Sequence, residues 1–337
     1  MEHYAPHHRA SFEGYYSKFD LPSGAHIALI ICSVPDATDL PPHMVSFTYY
    51  SKSGSAIYHR EHFVSEIHRV TIDTRSHAFE LRVPGMGSMR CEANSKTTYD
   101  LTSNEWKLRA ETVGRLPWGL RSETPEGWMV RLPLPLHWHV HSLCSPCITE
   151  VDIPSFEIAA EDHSGKAAVH QEKNWADSFP SAHMWVQAHS PSTGSTICLA
   201  GGEILGTTAY LLGYRSTGVD ISFRPPLSLA IFGWSPFMSV DVDWENRAFS
   251  LCVSGLWRKI EVRAKAPRDK GWFGISAPFS EGFRKNFLTE SFLANVDVRV
   301  FERSWLGRWK EVKHETFQNG SLEFGGAYFP HRGEKED

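Results

Sequence analysis

The feature that most constrains this chain is a strict two-residue alternation of apolar and polar side chains, repeated from end to end. Val45, Phe47 and Tyr49 alternate with Ser46 and Thr48, and Phe79, Leu81 and Val83 with Glu80 and Arg82. Val240, Val242 and Trp244 alternate with Asp241 and Asp243; Phe249, Leu251 and Val253 follow after the polar turn Glu245-Asn246-Arg247. Such runs put one face on a core and the other toward water, and two of them across a short turn predict a hairpin. Ile260 and Val262, then Val296, Val298 and Val300, continue the rhythm. Helical periodicity is weak: Glu281 to Phe292 is read as a short helix and Arg60 to Val70 as a poorer candidate, neither with a cap and stripe. Many short strands separated by turns predict an all-β chain of antiparallel barrels or sandwiches with few short helices.

Length divides this pattern. At 337 residues the chain exceeds the size at which one hydrophobic core stops growing, roughly 250–300 residues, so two lobes are expected. The small, charged stretch Ala159 to Lys166 has little to bury, which predicts lobes over residues 1–158 and 168–337 with a ligand pocket in or between them. Acids and bases are interspersed and sum to a net charge of −5, with no basic block, so nucleic acid is not an expected partner. No run of about 18 apolar residues exists, so no membrane span is expected. Met1 to Ala10 is polar and His-rich without the apolar stretch of a secretory signal, so the expectation is a cytoplasmic protein with free thiols. The one sequon, Asn319-Gly320-Ser321, matters only on secretion. There is no glycine-rich phosphate loop and no GxSxG elbow, so no nucleotide cofactor is expected.

Four clusters are candidates for chemistry. Glu13 in Phe12-Glu13-Gly14-Tyr15-Tyr16 reads as a buried carboxyl with a raised pKa or as a solvated strand residue; Gly14 permits close backbone approach. Glu172, Lys173, Asn174 and Trp175 combine opposite charges, an amide and an aromatic wall, suited to polarising one atom of a greasy ligand or to a structural ion pair. His137, His139 and His141 share a strand face, as pocket lining or as part of a metal set that needs a further ligand. Cys144-Ser145-Pro146-Cys147 has redox spacing but lacks a following helix or second pair, and Pro146 suggests a turn. The 12 tryptophans and 20 phenylalanines fill β cores or line apolar pockets.

Taken in order, these elements resemble the tocopherol cyclase family. The carriers are Phe12-Glu13-Gly14-Tyr15-Tyr16, Leu136-His137-Trp138, Glu172-Lys173-Asn174-Trp175 with Phe179-Pro180 and Trp185-Val186-Gln187, and Leu322-Glu323-Phe324-Gly325-Gly326. The middle block is the specific one. Tyr15 replaces a Trp of the family pattern, Ala176 a Gly and Leu136 a Pro, so the substrate need not be a tocopherol precursor. The resemblance implies two lipocalin-like β lobes around a lipophilic cavity, and cofactor-free ring closure in a prenylated, terpenoid or polyene intermediate. Glu172, Lys173, Asn174 and Glu13 are then the expected catalytic groups. Tyr16, His137, His139, Trp175, Trp185, Gln187 and Trp234 are the expected substrate contacts. A Diels–Alderase-type pericyclase and a non-catalytic carrier of a lipophilic metabolite remain the alternatives.

Overall fold

The computed structural model describes residues 1–119, 122–177, 179–204, 206–305 and 307–333. The expected all-β architecture is present: the described residues form two 11-stranded antiparallel sheets and only two 3-10 turns, Gly127–Arg131 and Ala160–Asp162. The first sheet is built from β1 (Phe12–Asp20), β2 (His26–Ser33), β3 (His43–Tyr50), β4 (Ile57–Val64), β5 (His68–Asp73), β6 (Ala78–Val83), β7 (Gly87–Cys91), β8 (Thr97–Thr102), β9 (Lys107–Thr112), β10 (Leu136–Asp152) and β11 (Ser164–Ala176). The second contains β12 (Ala182–His189), β13 (Thr196–Ile204), β14 (Thr207–Ser216), β15 (Val219–Phe223), β16 (Leu229–Ile231), β17 (Met238–Asp243), β18 (Ala248–Ser254), β19 (Arg258–Lys265), β20 (Phe273–Phe279), β21 (Gly282–Arg303) and β22 (Trp309–Gly326). The chain divides into two compact units, one of Met1–Phe179 with Pro278–Arg284 and one of Pro180–Ala277 with Lys285–Asp337. The seam expected at Ala159–Lys166 holds a short turn and the first residues of β11, which pairs with β10 and β1 in the first sheet.

The first sheet runs β4-β3-β2-β1-β11-β10-β9-β8-β7-β6-β5. Its end strands, β4 and β5, are consecutive in the chain. Laid flat, eleven strands would separate them by roughly 45–50 Å, at about 4.8 Å per strand. The link from Val64 to His68 reaches at most about 14 Å. The sheet therefore rolls up, and its alternating apolar face becomes an interior. That interior packs Phe19, Phe47, Phe79, Tyr99, Leu101 and Trp106. Trp106 stacks on Phe47 with ring centroids 4.3 Å apart, and its indole N–H donates to His62 Nε2 at 2.8 Å. In the second unit Tyr210, Phe249, Val296 and Phe324 lie in one buried cluster.

The predicted hairpin is found: β17 and β18 pair from Met238↔Val253 to Asp243↔Ala248. Both expected helices are strand instead. Arg60 to Val70 is divided between β4 and β5, and Glu281 to Phe292 falls almost wholly in β21. In β21 the side chains alternate on a strand paired over much of its length with β22, and cross-strand packing overrides the weak helical spacing. The turn expected at Pro146 is a double irregularity inside β10, with register shifts between Val140 and Ser142 and between Ser142 and Ser145. Proline is tolerated in sheets at such bulges. Cys144 and Cys147 are buried there, burial pushes both thiols up to about 12, and all six cysteines are free. This environment suits inert thiols, not a redox pair. Among the described residues no helix is long and apolar enough to cross a membrane.

The rolled interior makes a direct prediction. Trp106→Ala empties the space beside Phe47 and is expected to cost about 3–5 kcal/mol of stability. Urea unfolding followed by circular dichroism measures this; a loss below about 1 kcal/mol would contradict the packing described.

Candidate functional site

Strand pairing decides which of the predicted residues meet. In β1 against β11, Glu13 lies opposite Trp175 and Tyr15 opposite Lys173; in β10 against β11, His137 lies opposite Trp175 and His139 opposite Lys173. Directly opposed residues share a face. Glu13, Tyr15, Lys173, Trp175, His137 and His139 thus stand together, on the face that carries Tyr15 and Val169 into the core. Tyr16, Glu172 and Asn174 alternate to the other face of the same strands. Glu172 there contacts His170 Nε2 at 2.9 Å rather than Lys173. Gly14 lies opposite Asn174, and a Cβ on it would sit 2.8 Å from the Asn174 Oδ1, so the close approach expected at this glycine is real.

Lys173 and Glu13 form the centre. The ammonium Nζ lies 2.6 Å from Glu13 Oε1, and neither side chain is exposed to solvent. Lys173 also donates to His7 Nδ1 at 2.7 Å and to the Ala5 carbonyl. Its Nζ is 5.0 Å from the ring centroids of both Tyr15 and Trp175, within cation–π range. Glu13 accepts from the His7 backbone N–H at 2.6 Å and, more weakly, from Arg69 Nη1 at 3.4 Å. The acceptors around Lys173 come mostly from the segment before β1, which enters the rolled sheet. Tyr4 is fully buried there, stacked on His141 at 4.0 Å and edge-on to Tyr15 and Phe79 at 5.5 Å.

Above this pair is an aromatic stack. His7 lies flat on Trp175 at 4.0 Å, and His137 lies on Trp175 at 4.9 Å, nearly parallel. His137 Nδ1 faces Glu126 Oε2 at 2.8 Å, and the other carboxylate oxygen accepts from the Trp138 N–H at 2.6 Å. The His7 side chain is 31% exposed, so the stack is where this group of residues reaches solvent.

Burial alone would raise the Glu13 pKa, as the sequence suggested. The Lys173 charge and the hydrogen bonds from His7 and Lys173 reverse that, and hold it at about 2. Glu13 is therefore a buried carboxylate and not an acid. Burial pushes Lys173 down to about 8 against the pull of Glu13. Burial also lowers His7, and lowers His139 and His141 well below the ordinary histidine value, so these imidazoles are neutral at pH 7. With Lys173 donating to its Nδ1, neutral His7 carries its proton on Nε2 and presents a donor outward. The hydroxyls of Tyr4 and Tyr15 and both ring nitrogens of His139 face this interior without a hydrogen-bond partner among the described residues. Such groups suit a ligand that brings polar atoms.

The remaining expected contacts lie elsewhere. Trp185 and Gln187 are buried on β12 in the second unit, and Trp234 is 72% exposed on the loop between β16 and β17. The second unit also has an open cleft of about 470 Å³ lined by Trp244, Arg247, Arg268, Lys270, Trp272 and His331, none of which was an expected site residue. His7, Arg69, Tyr4 and Glu126 were likewise not picked out. For His7 and Tyr4 the only sequence signal was the His-rich start of the chain, and Arg69 and Glu126 had none.

The fold places the chain among two-lobed, lipocalin-like β proteins that share an architecture at very low sequence identity. Three solved structures show the likeness. CghA has a TM-score of 0.57 at 10% identity, over 97% of this chain and 90% of that one. Kievitone hydratase from Nectria haematococca has a TM-score of 0.54 at 10% identity, over 96% and 91%. A Nitrosomonas europaea protein designated AttH has a TM-score of 0.53 at 11% identity, over 96% and 95%. At this identity the likeness establishes fold. No family model matches the sequence, and no curated protein does either.

Glu13 supplies a pH prediction. Its pKa of about 2 lies below the roughly 4.5 of an unfolded glutamate, so the folded chain binds the proton less readily. The stabilisation is present above pH 4.5 and is lost as pH falls toward 2. Glu13→Gln leaves the Lys173 charge unpaired and is expected to cost about 3–5 kcal/mol at pH 7; the double variant Glu13→Leu, Lys173→Met recovers much of it. Thermal melts of the three proteins at pH 7 and pH 4 check both statements, and equal stability of Glu13→Gln and the parent would rule out the buried pair.

Proposed function

We propose that the chain is a cofactor-independent enzyme that closes a ring in a lipophilic natural-product intermediate without redox change. The observation that carries this reading is the solvent-free Lys173–Glu13 pair beneath the His7–Trp175–His137 stack. A charge in an apolar interior is expensive unless it is satisfied, and here it fixes the tautomer of His7, the more exposed histidine of the stack. In this reading the substrate lies against the Trp175 stack. The His7 Nε2–H donates to a carbonyl oxygen of the substrate, and the Lys173 ammonium behind the imidazole strengthens that donor as negative charge grows on the oxygen. Aromatic walls hold the chain in a folded, near-attack shape, so that confinement supplies much of the rate. Glu13 keeps Lys173 charged and positioned. A Diels–Alder closure needs nothing further. A protonation route through Glu13 is disfavoured, because that carboxyl is ionised.

The fold likeness to kievitone hydratase favours one second reading, addition of water across a double bond by the same donor group. A carrier without turnover is the non-enzymatic alternative. Incubation of the purified protein with metabolite extract from its source, followed by mass spectrometry, separates all three. A product of unchanged mass and shifted retention supports ring closure, and a gain of one water supports hydration. A ligand recovered unchanged at every time point leaves the carrier.

For a turned-over substrate, His7→Ala is expected to lower kcat by about 10²–10³-fold, the range for removing one positioned hydrogen-bond donor, with a smaller change in KM. Lys173 loses its proton as pH rises through about 8, so kcat is expected to fall there. Lys173→Met is expected to flatten that limb of the pH profile. A parent profile that is level from pH 6 to 10 would exclude the role given to Lys173.

A further inference from the structure

One end of the second unit presents an unusual row of exposed apolar side chains. Strand order brings its segments together. β17, β18, β19, β21 and β22 are consecutive neighbours in the sheet. The loop 232–237 leads into β17, the turn 255–257 joins β18 to β19, and Ser304, Trp305, Gly307 and Arg308 lie between β21 and β22, all at the same end. Backbone hydrogen bonds tie them in sequence: Ser254 N–H donates to the Phe237 carbonyl and Arg303 N–H to the Trp257 carbonyl, both at 2.8 Å. On these segments Phe232 is 91% exposed, Trp234 72%, Leu256 71%, Trp257 64% and Trp305 94%. Single exposed apolar residues need no explanation, but a contiguous set marks an interaction surface.

Phe232 adds an independent observation. Ile231 and Trp234 exchange backbone hydrogen bonds around Phe232 and Gly233, whose φ angles are +49° and +76°. Two left-handed residues at the tip of a hairpin turn favour Asn-Gly or Gly-Gly, and a large aromatic there is conformationally disfavoured. Phe232 recovers nothing by packing, because its side chain is in water. The position holds a phenylalanine despite both the backbone and the solvent.

Basic side chains flank the row at its Trp257 and Trp305 turns. Arg303 and Arg308 flank Trp305 in its turn and Lys310 follows; all three are exposed, and none forms an ion pair with a described residue. Arg258 beside Trp257 is paired with Glu302. Tryptophan and phenylalanine at loop tips with unpaired arginines and lysine between them match the headgroup layer of a membrane: rings sit at the interface and cations meet anionic lipids.

We propose that this end of the second unit docks reversibly on an anionic lipid bilayer, inserting Phe232, Trp234, Leu256, Trp257 and Trp305 to headgroup depth. The docking stands apart from the chemistry proposed for the first unit and holds whatever that chemistry is.

The full chain is mixed with unilamellar vesicles of phosphatidylcholine, with and without about 30% phosphatidylglycerol, and bound protein is measured by sedimentation. Binding is expected only with the anionic lipid, falling as salt is raised. The triple variant Phe232→Ser, Trp257→Ser, Trp305→Ser and the charge variant Arg303→Glu, Arg308→Glu are each expected to lose at least about tenfold in partitioning. Because all five positions are exposed, circular dichroism melts should match the parent. Tryptophan quenching by lipids brominated near the headgroup, and not by lipids brominated at the chain end, is the expected depth. Absence of sedimentation with anionic vesicles, or equal sedimentation of the triple variant, would overturn the proposal. So would a concentration-dependent dimer that the triple variant abolishes in the absence of vesicle binding, since a second copy would then be the occupant.

Discussion

A lysine ammonium and a glutamate carboxylate without solvent contact lie side by side on the core face of the first sheet, and much of the first unit is arranged to keep them satisfied. The effective desolvation cost of each charge is several kcal/mol, and mutual attraction offsets it only when the remaining protons and lone pairs also find partners. Those partners come from four places: Glu13 from β1, Lys173 from β11, backbone and imidazole groups from the segment before β1, and Arg69 from β5. β5 is an edge strand of the sheet and β1 lies in its middle. An Arg69–Glu13 contact is possible only across the interior of a rolled sheet. The same pair therefore reports the closure of the fold, anchors the opening segment inside it, and holds one charged donor in an apolar room.

That arrangement also explains why the chemistry proposed here rests on a neutral histidine rather than on a carboxylic acid. A carboxyl alone in this interior would be driven toward its protonated form. Beside Lys173 and under the His7 backbone N–H it is driven the other way. The lysine bears the larger consequence, its pKa falling into a range where a small change of environment alters its charge. His7 stands between this pair and the solvent, flat on Trp175, with one nitrogen committed inward and one outward.

The fold was legible because strand periodicity is local. The alternation in Phe79–Val83 and Phe249–Val253 needs only neighbouring residues to express itself, and both segments are strands with buried odd positions. The site was legible only in part. Glu13, Lys173, Trp175, His137 and His139 were identified as chemistry-bearing, but not that Glu13 is the partner of Lys173: β1 meets β11 across most of the first unit, and no local pattern encodes that register. Treating Glu172 and Lys173 as one cluster overlooked a rule the sequence does contain, since adjacent strand residues point to opposite faces. His7 and Tyr4 lie in a segment with no periodicity, and their roles arise wholly from where that segment is captured.

Aromatic richness, which composition suggested was core or pocket lining, turns out to have two physical settings. Trp106, Trp118, Trp138, Trp175 and Trp185 are buried, and a buried indole stabilises by removing a large apolar surface from water. Trp234, Trp257 and Trp305 gain nothing of that kind in the isolated chain. Water disfavours them, and at Phe232 the backbone disfavours the side chain as well. Selection for stability alone would replace such residues with glycine, asparagine or serine at little cost to the fold. Their concentration at one end of a sheet, with unpaired arginines between them, is accounted for when the environment they face is not water but a surface apolar enough to take the rings and anionic enough to hold the guanidinium groups.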